Sequence, residues 1–440
     1  MKHWIISGLL AFVLGIPVVS AQESVLVLEG GMLIDGTGSP PVPDAVVVIR
    51  GERIEAVGSS GDVAIPPEAT VIPLQGQTIL PGFIDTHLHL RDYQVPMFLP
   101  YGITTLADIH NNTAWSLEQR DALASGRIKG PRLFVSGARL TGPDSAPANE
   151  GRVETVAEAR AYVRNLVQQG VDQIKVDLTI TDEQLRAVLE EADDLGVRVL
   201  GHTQDIREAV AMGMRHMEHM DTMARSLLKQ EGRNPRPSDT TSEAAVNPDL
   251  FGPLIEYLVA RDVYVNPTLV LSWSGSTERW HDWTPLIHEL VEDPALAFIP
   301  DEARAAWLRE PRVRAGYANV VSFLYQYSQA GGKILAATDT GCCAQIVPGL
   351  SLHQEMQLLT DMGIAPMQAI QGATLWAAEV IGQQQNLGSI EPGKYADITI
   401  VDGNPLSNIE ATRQVTLVIK SGQVVDTTYD PEWVNPIPRY

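Results

Sequence analysis

The sequence predicts an α/β protein: a (β/α)8 TIM barrel with a discontinuous β-sandwich domain formed by the N- and C-terminal segments. Three observations predict it. Short β-prone runs crowd both ends of the chain, and strand candidates alternate with amphipathic helix candidates through the middle. The 440 residues also exceed the ~250 that such a barrel takes.

The opening, MKHWIISGLLAFVLGIPVVSAQ, has the layout of a secretory signal. Lys2 gives a basic start, Ile5 to Val19 an apolar stretch, and Val19-Ser20-Ala21 the small residues a signal peptidase accepts. Gly8, Gly15 and Pro17 interrupt the run, which is short for a bilayer span. Residues 1–21 are therefore expected to be removed on export to the periplasm or the medium.

From Ser24 to Pro81 the runs SVLVLEG, AVVVIRG, RIEAVG and QTILPG mix β-branched residues with Gly, Pro and Asp turn signals. GSIEPGKYADITIVDG and VTLVIKSGQVV repeat the style at the far end. One β-sandwich domain is expected from residues 22–80 plus 386–440.

Residues 81–385 are expected to form the barrel. LFVSGA, QIKVDL, VRVLGH, VYVNPTLV and KILAATD are strand-like. VAEARAYVRNLVQQG, TDEQLRAVLEEADDLG and SLHQEMQLLTDMG carry apolar residues at helical spacing and end in glycine. Alternating units of this kind make a parallel sheet. Between Arg225 and Arg314 the pattern loosens, and the aromatic-rich WSGSTERWHDWTPL reads as a pocket wall or a lid.

Hydrophobic residues make up 44% of the chain and charged residues 20%, enough for a sizeable core. The formal charge of −22 repels phosphate backbones and anionic lipid heads, which argues against nucleic-acid or membrane-surface partners. The partner expected is a small-molecule or dipeptide substrate, with a homo-oligomer left open. The two cysteines, Cys342 and Cys343, are adjacent. They provide no disulfide framework and read as two small buried residues.

The chemistry concentrates at strand ends. In FIDTHLHL, His87 and His89 stand two apart on a β-prone run, so both imidazoles face one side and can reach one ion. Lys175 in QIKVDL, His202 in VRVLGH, His219 in RHMEHM and Asp339 in KILAATDTG each follow a strand-like run. Strand ends of a barrel converge on one mouth, where separate strands build one site. His110, at the end of TTLADIH, and His353, at a predicted helix start, are further candidates for substrate contact. His216, His281 and His288 give no such signal.

PGFIDTHLHL, the strand lysine, GHT, the second strand-end EH, ATD and the closing GSIEPGKYADITIVDGNPL together resemble the amidohydrolase superfamily. More narrowly they are similar to its imidazolonepropionase-like and Xaa-Pro dipeptidase (prolidase)-like branch. The resemblance implies that His87, His89 and Asp339 bind the more buried of two divalent metal ions, with zinc expected. It implies that His202 and His219 bind the second, and that Lys175, N6-carboxylated by carbon dioxide, bridges both. A metal-bridging hydroxide would then attack the substrate, with Asp339 as general acid/base. Val176-Asp177-Leu178 stands where many relatives have Ser-Gly-Gly, and Pro143-Asp144-Ser145 where the branch often has a glycine and a histidine.

The activity expected is hydrolysis of an amide-type bond in a dipeptide or N-acyl amino acid. Two alternatives stand beside it. One is a mononuclear cyclic-amide hydrolase, deaminase, lactone hydrolase or carbamate hydrolase of the same superfamily. The other is a secreted binding protein without catalysis.

Overall fold

The computed structural model describes residues 24–146, 150–233, 242–311 and 313–437. The expected signal segment lies outside the described residues. Valine-rich runs open the chain as β1 (Val25–Leu33), β2 (Val42–Arg50) and β3 (Arg53–Ser59), followed by β4 (Thr70–Pro73) and β5 (Gln77–Pro81). β1 pairs antiparallel with β2, and β2 with β3 across a tight turn at Gly51, whose φ of 57° suits glycine. Branched side chains on a pleated surface pack well against their cross-strand neighbours, which is why these runs become strands.

Eight strands follow through the middle: β6 (Phe83–Leu88), β7 (Ile103–Asp108), β8 (Arg132–Val135), β9 (Gln173–Val176), β10 (Arg198–Gly201), β11 (His216–Glu218), β12 (Tyr264–Asn266) and β13 (Lys333–Ile334). Every ladder among them is parallel: β6–β7–β8, β9–β10 and β11–β12–β13. A parallel bridge from Leu140 to Val176 ties the segment after β8 to β9, and another from Leu88 to Thr340 ties β6 to the segment after β13. The molecule is thus a mixed α/β protein.

The helices between the strands form where the apolar spacing predicts them. Thr155 caps the helix Val156–Gln169, which stops at Gly170 in the left-handed region; Thr181 and Gln184 form a capping box on Asp182–Asp194. Val163, Leu166, Leu185 and Val188 bury against Ile174 of β9. Each such burial stabilises by about 1.5–3 kcal/mol. The second half of the aromatic-rich segment opens the helix Arg279–Glu292, which buries Trp283 and Ile287 in the main core, and the Trp283 indole donates to Gln357 Oε1 at 2.9 Å.

Near the end, β14 (Ile398–Asp402), β15 (Val415–Lys420) and β16 (Gln423–Val424) return to the N-terminal strands. β14 pairs antiparallel with β5, Ile398 opposite Pro81. One sheet of order β16-β15-β14-β5-β1-β2-β3, with β4 beside β1, is therefore built from both ends of the chain. Among the described residues, no helix is long and apolar enough to cross a membrane.

Candidate metal centre

His87 lies in β6, Lys175 in β9, His202 just after β10, His219 just after β11, and Asp339 on the segment following β13. The backbone locks the first and last of these together. Asp339 N donates to His87 O at 2.7 Å, and His89 N to Thr340 O at 2.7 Å. The Asp85 carboxylate spans the same two segments, accepting from Thr338 N (3.2 Å) and Thr338 Oγ1 (2.7 Å). His219 and Asp339 both hold φ at 58°, and Thr268 at 45°. Such backbone costs about 1–3 kcal/mol per residue and persists only where the surroundings over-determine it.

Three imidazoles turn the same nitrogen towards Asp339. His87 Nδ1 lies 2.5 Å from Glu218 Oε2, and His89 Nδ1 lies 3.3 Å from the His110 carbonyl. Both partners can only accept, so each Nδ1 carries the proton. His219 Nδ1 lies 2.6 Å from Thr268 Oγ1, whose own hydrogen goes to Pro267 O at 2.8 Å. There too Nδ1 is the donor. Each Nε2 is left as a lone-pair donor, at 3.5 Å (His87), 3.1 Å (His89) and 3.7 Å (His219) from the Asp339 carboxylate.

Ligand atoms of His87, His219 and Asp339 all lie within 4.8 Å of one another. His202 stacks on His219 at 4.8 Å between ring centroids. Lys175 is 1% exposed, and its Nζ has no hydrogen-bond partner; neither has His87 Nε2. Buried polar atoms are ordinarily satisfied, so unpartnered ones at the His87–His219–Asp339 cluster fit a divalent-cation site.

The electrostatics agree. Burial lowers the Lys175 pKa, against the pull of Glu218 and Asp339, favouring the neutral amine. Burial also lowers His87 to about 4 and holds His202 well below the ordinary imidazole value. For Asp339 burial pushes the carboxyl up, but His87, His89 and His219 outweigh it and hold it below the usual carboxylate range. An ionised carboxylate is the protonation state that a metal ligand needs.

Three residues that sequence reasoning passed over complete the centre. Glu218, fully buried, grips His87 and also accepts from Asn266 Nδ2 at 2.7 Å. Thr268 orients His219. Glu355, also fully buried, accepts from Leu269 N (2.8 Å) and Val270 N (2.7 Å) and so fixes the loop that presents Thr268. The HMEHM run held a signal for Glu218, because His216 and Glu218 are two apart on a strand and share a face.

His110 lines a cavity of about 270 Å³ with His89, Arg91, Asn111, Asn112, Arg139 and Cys342. The structure corrects the expectation for His353. Its ring packs on Phe83 at the start of β6, the end opposite His87, with Nδ1 2.9 Å from Thr412 Oγ1 and Nε2 2.9 Å from Tyr101 O. Both nitrogens serve the fold, so none is left for substrate. The cysteine expectation is corrected as well: Cys342 is exposed and Cys343 half-buried.

The chain matches the Amidohydrolase family over residues 78–243 and 322–425, more than half its length. It is 24% identical to an adenine deaminase of Rubrobacter xylanophilus over 91% of this chain, but spans just 57% of that longer protein. It is 23% identical to an imidazolonepropionase of Pseudomonas fluorescens, covering 81% of this chain and 87% of the relative. A solved Xaa-Pro dipeptidase superposes with a TM-score of 0.66 at 22% identity, covering 92% of this chain and all of that one.

Proposed function

Because this chain belongs to the Amidohydrolase family, we propose that it is an exported binuclear metal-dependent hydrolase. Its parallel strands are read as a (β/α)8 barrel, and the substrate as a dipeptide or an N-acyl amino acid. The observation that supports the reading is the cluster of His87, His219 and Asp339, with His89 Nε2 3.1 Å from Asp339, His202 stacked on His219 and a buried, unpartnered Lys175. When bound, the metal ions would polarise the scissile carbonyl and acidify a water.

The chain's own residues do the rest. His87, His89 and Asp339 would hold one ion, and His202 and His219 the other. Lys175, kept towards its neutral form by burial, would add carbon dioxide with release of a proton, and the resulting carbamate anion would supply oxygen ligands to the metals. Asp339 takes the proton of the attacking water and passes it to the leaving nitrogen. His110 stands at the mouth, where a substrate would enter.

Metal analysis by mass spectrometry tests this on chain purified without chelators, beside Lys175→Ala, with a dipeptide and N-acyl amino acid screen. The reading expects about two metals per chain, a sharp drop in the variant, and loss of most turnover. One metal in both would favour a mononuclear deaminase-type enzyme, an alternative supported by the adenine deaminase likeness along 91% of the chain. Absence of metal after reconstitution with zinc would sink the proposal.

A further inference from the structure

The cysteine pair lies on the segment that carries Asp339, outside the hydrolytic machinery. Its two sulfurs are 3.6 Å apart. Cys342 lines the cavity shared with His89 and His110, and both thiols line a second cavity of about 140 Å³ with Arg91 and Trp307. Small reagents can therefore approach from two sides.

The backbone around the pair is tightly held. Cys342 N donates to Asp339 O at 3.1 Å, and the Arg91 guanidinium grips Gly341 O through two bonds of 3.1 and 2.7 Å. Gly341 has φ 87°, and a Cβ there would stand 1.9 Å from His89 O. Any shift in this short loop therefore presses on His89, Asp339 or Arg91.

We propose that Cys342 and Cys343 form a thiol-modification site, a vicinal dithiol at the mouth that reacts with a small disulfide and closes on itself. One thiolate attacks the disulfide, whose sulfur–sulfur bond breaks; the first half leaves as a thiol, and a mixed disulfide remains. The neighbouring thiolate then attacks the protein sulfur and expels the second half. Two protein thiols are oxidised to one disulfide, and the reagent is reduced to two thiols. A disulfide needs its sulfurs at about 2.05 Å, so the pair must close by about 1.5 Å. The anchored loop passes that movement to Asp339 and His89, lowering metal retention and hydrolysis. The effect on hydrolysis rests on the function proposed above; the ring closure does not.

Zinc-loaded full-length protein is treated with oxidised glutathione, quenched in acid, alkylated with N-ethylmaleimide and weighed intact. The expected protein is lighter by two hydrogens and takes up no maleimide. Zinc retention and amide hydrolysis fall together and return with dithiothreitol. Cys343→Ser should instead stop at one bound glutathione and keep its zinc. Two maleimide adducts, or two glutathiones per chain, would overturn the proposal. Full closure with unchanged zinc retention would overturn its coupling to the metal centre. Because the mass is read without turnover, a failed substrate screen cannot be mistaken for a failed closure.

Discussion

Replacing Glu218 by Gln should weaken metal binding while leaving the fold in place. The Glu218 carboxylate accepts from His87 Nδ1 at 2.5 Å and from Asn266 Nδ2 at 2.7 Å, with no exposed surface. Burial pushes its carboxyl up, yet His87 and His216 hold it well below the ordinary range, so it is ionised. Glutamine keeps one acceptor oxygen and loses the charge. A charge-assisted hydrogen bond contributes about 1.5–3 kcal/mol against about 0.5–1.5 for a neutral one. The imidazole should therefore lose about 1–1.5 kcal/mol of support for its Nδ1–H tautomer. Carboxylates behind metal-bound histidines are worth about 10–100-fold in affinity, and the bond difference falls near the lower end of that range. Zinc affinity measured by competition with a fluorescent chelator should drop by about tenfold or slightly more. Thermal unfolding of the metal-free forms should differ far less. Equal zinc affinity in Glu218→Gln and the parent would refute the reasoning, as would a loss accounted for wholly by unfolding.

Other expectations follow from the same contacts. Thr268→Val removes the acceptor for His219 Nδ1 and should lower zinc affinity by about 1 kcal/mol in the same competition assay. His353→Ala should lower the urea midpoint, with about 1–3 kcal/mol lost from two buried hydrogen bonds, and leave metal content unchanged. Burial raises the Glu355 carboxyl to about 8, only partly offset by the Leu269 and Val270 amides, whereas its unfolded value is about 4.3. The native state holds that proton more tightly, so the contribution is fully present below the unfolded value and is lost as pH rises through about 8. Urea titrations should then show a wider stability gap between the parent and Glu355→Gln at about pH 5 than at about pH 9. A gap that widens with pH would contradict the assignment.

What could be read from the sequence was whatever a local pattern encodes. His87 and His89 share a face by strand periodicity, and the helices at 156–169 and 182–194 announce themselves by capping threonines and apolar spacing. Strand-end positions picked out Lys175, His202, His219 and Asp339. Asn266 and Glu355 were hidden because neither bears on the site until β12 and the helix Leu350–Asp361 are brought beside it in space. His353 misled for the opposite reason. It is close to Asp339 along the chain, yet its helix directs it to the far end of β6. The cysteine pair has apolar character as composition but sits on a loop whose exposure depends on neighbours from β6. In WSGSTERWHDWTPL the aromatics are interspersed with polar residues, and the helix Arg279–Glu292 gathers Trp283 and Ile287 on one buried face.

The sheet built from both ends of the chain has a consequence for synthesis. More than 300 residues separate Pro81 from Ile398, its partner in the register. At roughly 5–20 residues per second, a ribosome needs about 15–60 s to deliver β14 after β5 has emerged. For that interval the N-terminal hairpins present an unpaired, branched-residue edge, the kind of edge that recruits other strands. A nascent chain stalled or truncated before Ile398 should therefore clump through β5, whereas loss of residues beyond β16 should leave that edge covered. Chaperone demand during expression ought to track the time to Ile398, not the stability of the finished protein.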